Sequence, residues 1–210
     1  MNIIATIIII ILCLIILFML FWKLIFLRNP NRVISKGDNI VSPADGKIID
    51  IVEFDKSKEI RFFKGNKKFL GIIKTLTCDV SDKGYIVSIF MNPLDVHYNL
   101  APIAGKVVSL KHSNGSFLAV NTIEAGLVNE KTETIIEGKI RIKVIQIAGF
   151  IARRIETFVK KNDKVAKGQI IGLINLGSQV TLILPKNISI KIKKKQKVKA
   201  GETIIAEIKK

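Results

Sequence analysis

Three stretches carry side chains that could do chemistry: Val41-Ser42-Pro43-Ala44-Asp45-Gly46, Phe90-Met91-Asn92-Pro93-Leu94-Asp95-Val96-His97 and Asn175-Leu176-Gly177-Ser178-Gln179-Val180. Ser178 is a candidate nucleophile, and a serine hydroxyl needs a positioned base to act as one. His97, one of two histidines with His112, is the natural proton carrier near neutrality. Asp45 and Asp95 have acid–base potential, and an aspartate can orient an imidazole as in a Ser-His-Asp relay. Gly177 leaves room for attack on its own carbonyl and tolerates a strained backbone. Each stretch also has a plainer reading. Ser42–Gly46 has turn chemistry, with Pro fixing φ and Gly accepting φ > 0. Gly-Ser is a common turn dipeptide beside a strand, and a lone histidine is more often structural than catalytic.

The elements that must hold these residues read mostly as β. Ile/Val-rich runs at Lys47–Val52, Tyr85–Phe90, Lys106–Leu110, Thr134–Ile136 and Ile140–Ile147 are punctuated by Gly, Asn, Asp and Pro. Ile151–Lys160 is the one stretch here that reads as a short helix or helical turn. Asp163–Ile171 and Gln196–Ile204 form a weak internal repeat, each a strand, a Gly turn and a strand. Both are similar to the half-hairpins of biotinyl/lipoyl-like barrel-sandwich folds, although two unrelated β-turns would look the same. No βαβ alternation is visible, so the expected fold is mainly β: a compact barrel-sandwich-like domain with few short helices.

In front of it the chain runs uncharged from Ile3 to Trp22, and a bilayer core takes about 20 apolar residues as helix. The run lacks a basic start and ends in bulky Phe21-Trp22, unlike a secretory signal. The expectation is a retained anchor at residues 1–28 before a domain at residues 29–210, with a re-entrant hairpin as the alternative. Trp22 suits the membrane interface, and Lys23, Arg28 and Arg32 then place the body on the cytoplasmic side of the cell membrane.

Lys and Arg number 34 against 17 Asp and Glu, a formal charge of +17, which suits nucleic acid or an anionic membrane surface. Aromatic residues are 7% and are not interleaved with the basic runs, so a nucleic-acid stacking platform is not expected. The Lys191–Lys199 run could face anionic headgroups or form a solvated strand face. Cys13 and Cys78 make neither a disulfide framework nor a metal spacing, so no metal is expected and a reducing compartment fits.

Taken in order, the motifs resemble the short form of the phosphatidylserine decarboxylase family. The resemblance is carried by Ser42–Gly46, Phe90-Met91 with Asp95-Val96-His97, Ala101-Pro102 with Ala104-Gly105, Ile147–Ile155, and Gly172, Ile174, Gly177-Ser178 and Val180 with Pro185 behind them. It extends from Phe26 to Ile205, and Phe26–Arg32 and Asn129-Glu130 also match family features. It implies that the protein cuts its own Gly177–Ser178 bond, that Ser178 becomes a covalent pyruvoyl group, and that the two fragments stay associated. That group would serve as the electron sink for decarboxylating phosphatidylserine to phosphatidylethanolamine in phospholipid biosynthesis. It further implies Asp45 and His97 as catalytic acid and base, and Arg153, Arg154 or a nearby Lys at the lipid phosphate. Two positions depart from the family pattern. Leu100 stands where the short form usually has Arg and the long form a second His, and Gln179 where the short form often has Arg. Rival readings are a decarboxylase of an ether-linked serine phospholipid and a non-enzymatic membrane adaptor with a lipoyl-like β domain. The expected partners are a serine phospholipid and an anionic membrane surface, without nucleic acid; homo-oligomerisation is open.

Overall fold

In the computed structural model, which describes residues 3–56, 77, 79–115, 129–149, 154–175 and 178–209, the uncharged N-terminal run is helical. Helix α1 (Ile3–Leu20) passes directly into a π-helical turn, Phe21–Phe26. These 24 residues are long and apolar enough to cross a membrane, spanning about 36 Å at ~1.5 Å per residue. No residue of α1 is buried, so its apolar surface is left largely open among the described residues.

The remaining described chain is β: β1 (Asn39–Val41), β2 (Gly46–Asp55), β3 (Lys83–Met91), β4 (Tyr98–Leu100), β5 (Gly105–Ser113), β6 (Lys131–Glu137), β7 (Arg141–Ala148), β8 (Ile155–Thr157), β9 (Lys164–Val165), β10 (Ile170–Ile174), β11 (Ser178–Pro185), β12 (Ile188–Ile190), β13 (Lys197–Val198) and β14 (Ile204–Ile208). One sheet runs β13-β2-β3-β11-β7-β6-β5-β9, and two smaller ones run β1-β14-β12 and β4-β10-β8. Neighbouring strands are antiparallel throughout these sheets. β11 lies at the centre, between β3 and β7, and is buried along nearly its whole length. Its Val180, Leu182 and Leu184 join Ile48, Val87, Ile89, Ile142 and Val144 in the core. β7 and β11 are buried on both faces along nearly their whole length, so polar residues such as Lys143, Gln146 and Gln179 lie inside with the apolar ones.

The internal repeat is a structural one. β1, the Ser42–Asp45 turn and β2 are matched by β4, residues Ala101–Ala104 and β5. The halves exchange equivalent bonds: Val41 N–H donates to the Pro102 carbonyl (3.1 Å) and Leu100 N–H to the Pro43 carbonyl (2.8 Å). Asn162 N–H donates to Val107 O and Lys195 N–H to Ile48 O, at 2.7 and 2.8 Å. Gly168 and Gly201 both turn the chain at positive φ, +83° and +75°. A Cβ on either would lie 2.5 Å from Cδ1 of Ile34, so the segment that follows the π-helical turn is laid across both turns.

The helical reading of Ile151–Lys160 is corrected. Residues 151–153 lie outside the described residues, but Ile155–Thr157 is strand β8, paired with Ile174, Leu173 and Gly172 of β10. The β-branched Ile155 and Thr157 complete a sheet edge remote in sequence, and that pairing overrides the local helical pattern.

Candidate active site

Ser178 is the first residue of β11, held in register with Met91 of β3 on one side and Ala148 of β7 on the other. It is fully buried, and its hydroxyl points at the Met91 thioether, 3.4 Å away. Behind Met91 runs a buried polar chain. Asn99 Nδ2 lies 3.7 Å from Met91 Sδ, and Gln146 Nε2 donates to Asn99 Oδ1 at 2.8 Å. Gln146 Oε1 has no hydrogen-bond partner among the described residues. Paired and alternate residues of a sheet share a face, so Ser178, Met91, Ala148 and Gln146 lie on one side of it.

His97 follows a tight turn that Asp95 holds shut. The Asp95 carboxylate accepts from Asn92 N–H at 2.8 Å, and Asp95 N–H donates to the Asn92 carbonyl at 2.9 Å. His97 is fully buried, with Nδ1 2.8 Å from the Asp95 carbonyl. A carbonyl oxygen only accepts, so Nδ1 carries the proton and Nε2 keeps its lone pair. Nε2 is buried with no partner among the described residues. Burial pushes the imidazole down to about 4; Arg28 adds to this, while the Asp95 carbonyl and the Asp45 charge oppose it. The ring is therefore neutral at pH 7 and fit to accept a proton at Nε2. Burial raises the Asp95 carboxyl above its usual range, against the hydrogen bond from the Asn92 backbone.

Asp45 sits in the turn between β1 and β2 and faces the segment that follows the π-helical turn. One terminal nitrogen of Arg32 reaches both its oxygens, and Ala200 N–H donates to Oδ1 at 2.8 Å. The structure thus joins Asp45 to Arg32, and His97 to Asp95 and Phe26. It does not hydrogen-bond Asp45 to the imidazole, nor the imidazole to the Ser178 hydroxyl. Gly177, Arg153 and Cys78 lie outside the described residues. Arg154 is exposed, and its carbonyl accepts from Asn175 N–H, just ahead of Ser178. Leu100 is buried beside Gly201, and Gln179 is buried with its amide donating to Thr181 Oγ1 at 3.0 Å. Asn129 and Glu130 brace Ala148 through its carbonyl and N–H. His112 contacts Thr132 Oγ1 and Glu130. In the basic run, Lys191, Lys194 and Lys199 pair with Glu207, Asp50 and Glu202.

Sequence reasoning missed Phe26, Arg28, Arg32, Asn99 and Gln146 as parts of the site. Phe26 and Arg32 fall in the junction that resembles the family, which was the only available signal for them. Asn99 and Gln146 come from strands far apart in sequence and left none.

Comparison with known proteins agrees with the motifs. A sequence profile of the phosphatidylserine decarboxylase family matches residues 20–206. The chain belongs to that family, whose members are carboxy-lyases, enzymes that break a carbon–carbon bond to release CO₂. A Methanocaldococcus jannaschii protein provisionally assigned as an archaetidylserine decarboxylase proenzyme is 41% identical over 190 residues, 90% of each chain. Phosphatidylserine decarboxylase proenzymes of Amoebophilus asiaticus and Carboxydothermus hydrogenoformans are 35% and 36% identical. Those matches span 89% and 91% of this chain and 76% and 83% of the relatives.

Proposed function

We propose that the chain matures by cutting itself between Gly177 and Ser178, and then decarboxylates a serine phospholipid with a pyruvoyl group made from Ser178. The observation that carries this reading is a fully buried serine at the head of the central strand, in a body that also buries a histidine whose basic nitrogen has no partner among the described residues. The proenzyme names of the relatives support it.

In self-cleavage, His97 Nε2 takes the Ser178 hydroxyl proton, and Oγ attacks the Gly177 carbonyl. The Gly177–Ser178 amide bond breaks as the ester forms, leaving the Ser178 amine free. Loss of the Ser178 α-proton then expels the Gly177 carboxylate and leaves dehydroalanine. Water replaces its nitrogen, releasing ammonia. The residues present fit the resulting group, because Ser178 is dry and its strand is held on both sides by β3 and β7. When formed, the group supplies an electrophilic carbonyl that accepts the electrons of the breaking C–CO₂ bond. Burial disfavours a charged imidazole and Asp45 opposes this only from a distance, so a proton that His97 takes up is readily given back. Arg154, beside Asn175, is the described candidate for the lipid phosphate, with Arg153 next to it in sequence.

Residues 178–210 would stay with residues 1–177 after cleavage, because β11 remains paired with β3 and β7 and β14 with β1. Residues 1–28 form the anchor and residues 29–210 the catalytic domain, on the cytoplasmic side by the positive-inside rule. An ether-linked serine phospholipid is the second reading, favoured by the relative that matches over 90% of both lengths. Supplying the diacyl and ether lipids in parallel decides between them.

Intact mass spectrometry tests the maturation step. Two chains are expected, ending at residue 177 and starting at residue 178, the second without a free amine and reactive toward a carbonyl reagent. Ser178→Ala should stay whole and inactive. A single uncleaved chain that still releases CO₂ from the lipid overturns the proposal.

A further inference from the structure

The end of the anchor is fastened to the histidine turn at two points. The π-helical turn, closed by Leu27 N–H donating to the Trp22 carbonyl at 2.9 Å, rotates Phe26 inward. Leu24 and Ile25 are 64% and 39% exposed, whereas Phe26 is 0% exposed. The Phe26 ring lies 4.3 Å from the His97 ring, centroid to centroid, and Trp22 also stacks on Phe26, at 4.6 Å. Two residues on, the Arg28 guanidinium donates to the Leu94 carbonyl, in the turn that carries His97. An aromatic side chain at the end of a membrane helix would ordinarily sit in the interfacial belt. This one is withdrawn into the body.

We propose that Phe26 is a positioning residue for His97, so that the membrane anchor supplies one wall of the active site as well as a tether. The wall does two things. It excludes water from the imidazole, and it fixes the ring so that Nδ1 stays on the Asp95 carbonyl and Nε2 faces the buried interior. The charged groups acting on the ring are Arg28 from the anchor end and Asp45 from the β1–β2 turn, while Asp95 acts through its backbone carbonyl; Arg32 pairs with Asp45. Removing Phe26 changes none of these charges, so its effect on the ring is one of hydration and orientation. The proposal rests on His97 being the base of the proposed self-cleavage, and its test separates the two.

The test is a graded series, Phe26→Leu, Phe26→Val and Phe26→Ala, in the full chain reconstituted in lipid nanodiscs. In the uncleavable Ser178→Ala background, the His97 imidazole is titrated by NMR, with His112→Gln assigning the second signal. The midpoint should sit near 4 with Phe26 present and climb toward 6.5 as the side chain shrinks. In the cleavable chain, the acid limb of the self-cleavage rate should climb in the same order, with Leu close to wild type and Ala about tenfold or more slower at pH 5. Should Ala fail to fold, Val against Leu reads the same trend. An unmoved midpoint and acid limb across the series overturn the proposal. A moved midpoint with no cleavage in any chain keeps the Phe26 contact and removes self-cleavage instead.

Discussion

One terminal nitrogen of Arg32 lies 2.9 and 2.8 Å from the two carboxylate oxygens of Asp45, with both side chains almost out of solvent, 12% and 14% exposed. Asp45 is one of the residues expected to do chemistry, and the structure gives it a structural job first. The pair ties the segment leaving the anchor to the turn before β2, and Ala200 N–H adds a bond from the far repeat. Arg32→Ala leaves the Asp45 charge with that one amide. It should therefore destabilise the fold by about 3 kcal/mol, the range seen when one partner of a buried pair is removed. Asp45→Asn keeps an acceptor, and Arg32 still has Glu202 at 3.6 Å, so a loss of about 1–2 kcal/mol is expected. Denaturant midpoints of the full chain in detergent check both. Asp45→Asn should also slow self-cleavage on a gel time course, because it loosens the Arg32 pair that fixes this turn and removes a distant negative charge from His97. A folded Asp45→Asn protein that cleaves at the wild-type rate would leave Asp45 a purely structural role.

His97 makes a prediction about stability as well as rate. His97→Gln should cleave about 10²–10⁴-fold more slowly on a gel time course, the usual loss for a missing general base. The imidazole is held down near 4 by burial, while in the unfolded chain it returns to about 6.5. Between these values the unfolded state binds the extra proton, so stability falls as pH drops from about 6.5 toward 4, by ~3 kcal/mol in all. Asp95, raised by burial, works the other way, since acid relieves its burial cost. His97→Gln should flatten the first slope and leave the second. A wild-type stability that is level across this window would show the ring to be hydrated.

Much of the body was legible in the sequence because its signals are local. The runs around Ile48, Ile86, Val107, Ile135 and Ile142 became strands because β-branched residues between turn formers have few other options. The repeat was readable because Gly168 and Gly201 sit in the same turn chemistry at the same offset. The misread segment, Ile155–Thr157, depends on a partner in β10 that no local pattern announces. The same holds for the site. Ser178, His97 and Asp45 stand in motifs, but Phe26 reaches His97 across the whole of β1 to β3, and an aromatic at the end of an apolar helix reads as a membrane-interface residue. Arg32 on Asp45 and Gln146 on Asn99 are likewise products of folding, with no spacing rule to expose them.

Asn99 and Gln146 give a test that needs no substrate. Their amides bond at 2.8 Å in a fully buried position, and Asn99 also faces the Met91 sulfur that receives the Ser178 hydroxyl. Asn99→Leu strands the Gln146 amide, and a buried donor left unpaired costs about 1–3 kcal/mol. Gln146→Leu strands Asn99 Oδ1 in the same way. The double substitution removes both partners, so it should be less destabilising than the sum of the singles. A thermal-melt double-mutant cycle should show a coupling of about 1 kcal/mol or more. Strict additivity would mean that water already satisfies both groups.

The anchor can be separated from the basic surface by salt. α1 presents apolar side chains all round and none of its residues is buried, whereas Lys191, Lys194 and Lys199 are each already paired with an acidic residue. Burial of apolar surface is not screened by ions, while attraction between exposed charges fades over about 3 Å in molar salt. The full chain should therefore stay with membranes through a 1 M salt wash followed by sedimentation. A chain lacking residues 1–20 keeps Trp22, Phe26 and Arg28 and so keeps the wall over His97. It should bind anionic vesicles only at low salt and release from them in the wash, while its self-cleavage continues. Release of the full chain in salt would show that α1 does not enter the bilayer. Salt-resistant binding of the shortened chain would place the membrane contact on the body instead, where Val33, Leu94 and Phe158, 84%, 61% and 50% exposed, are the apolar side chains to substitute next.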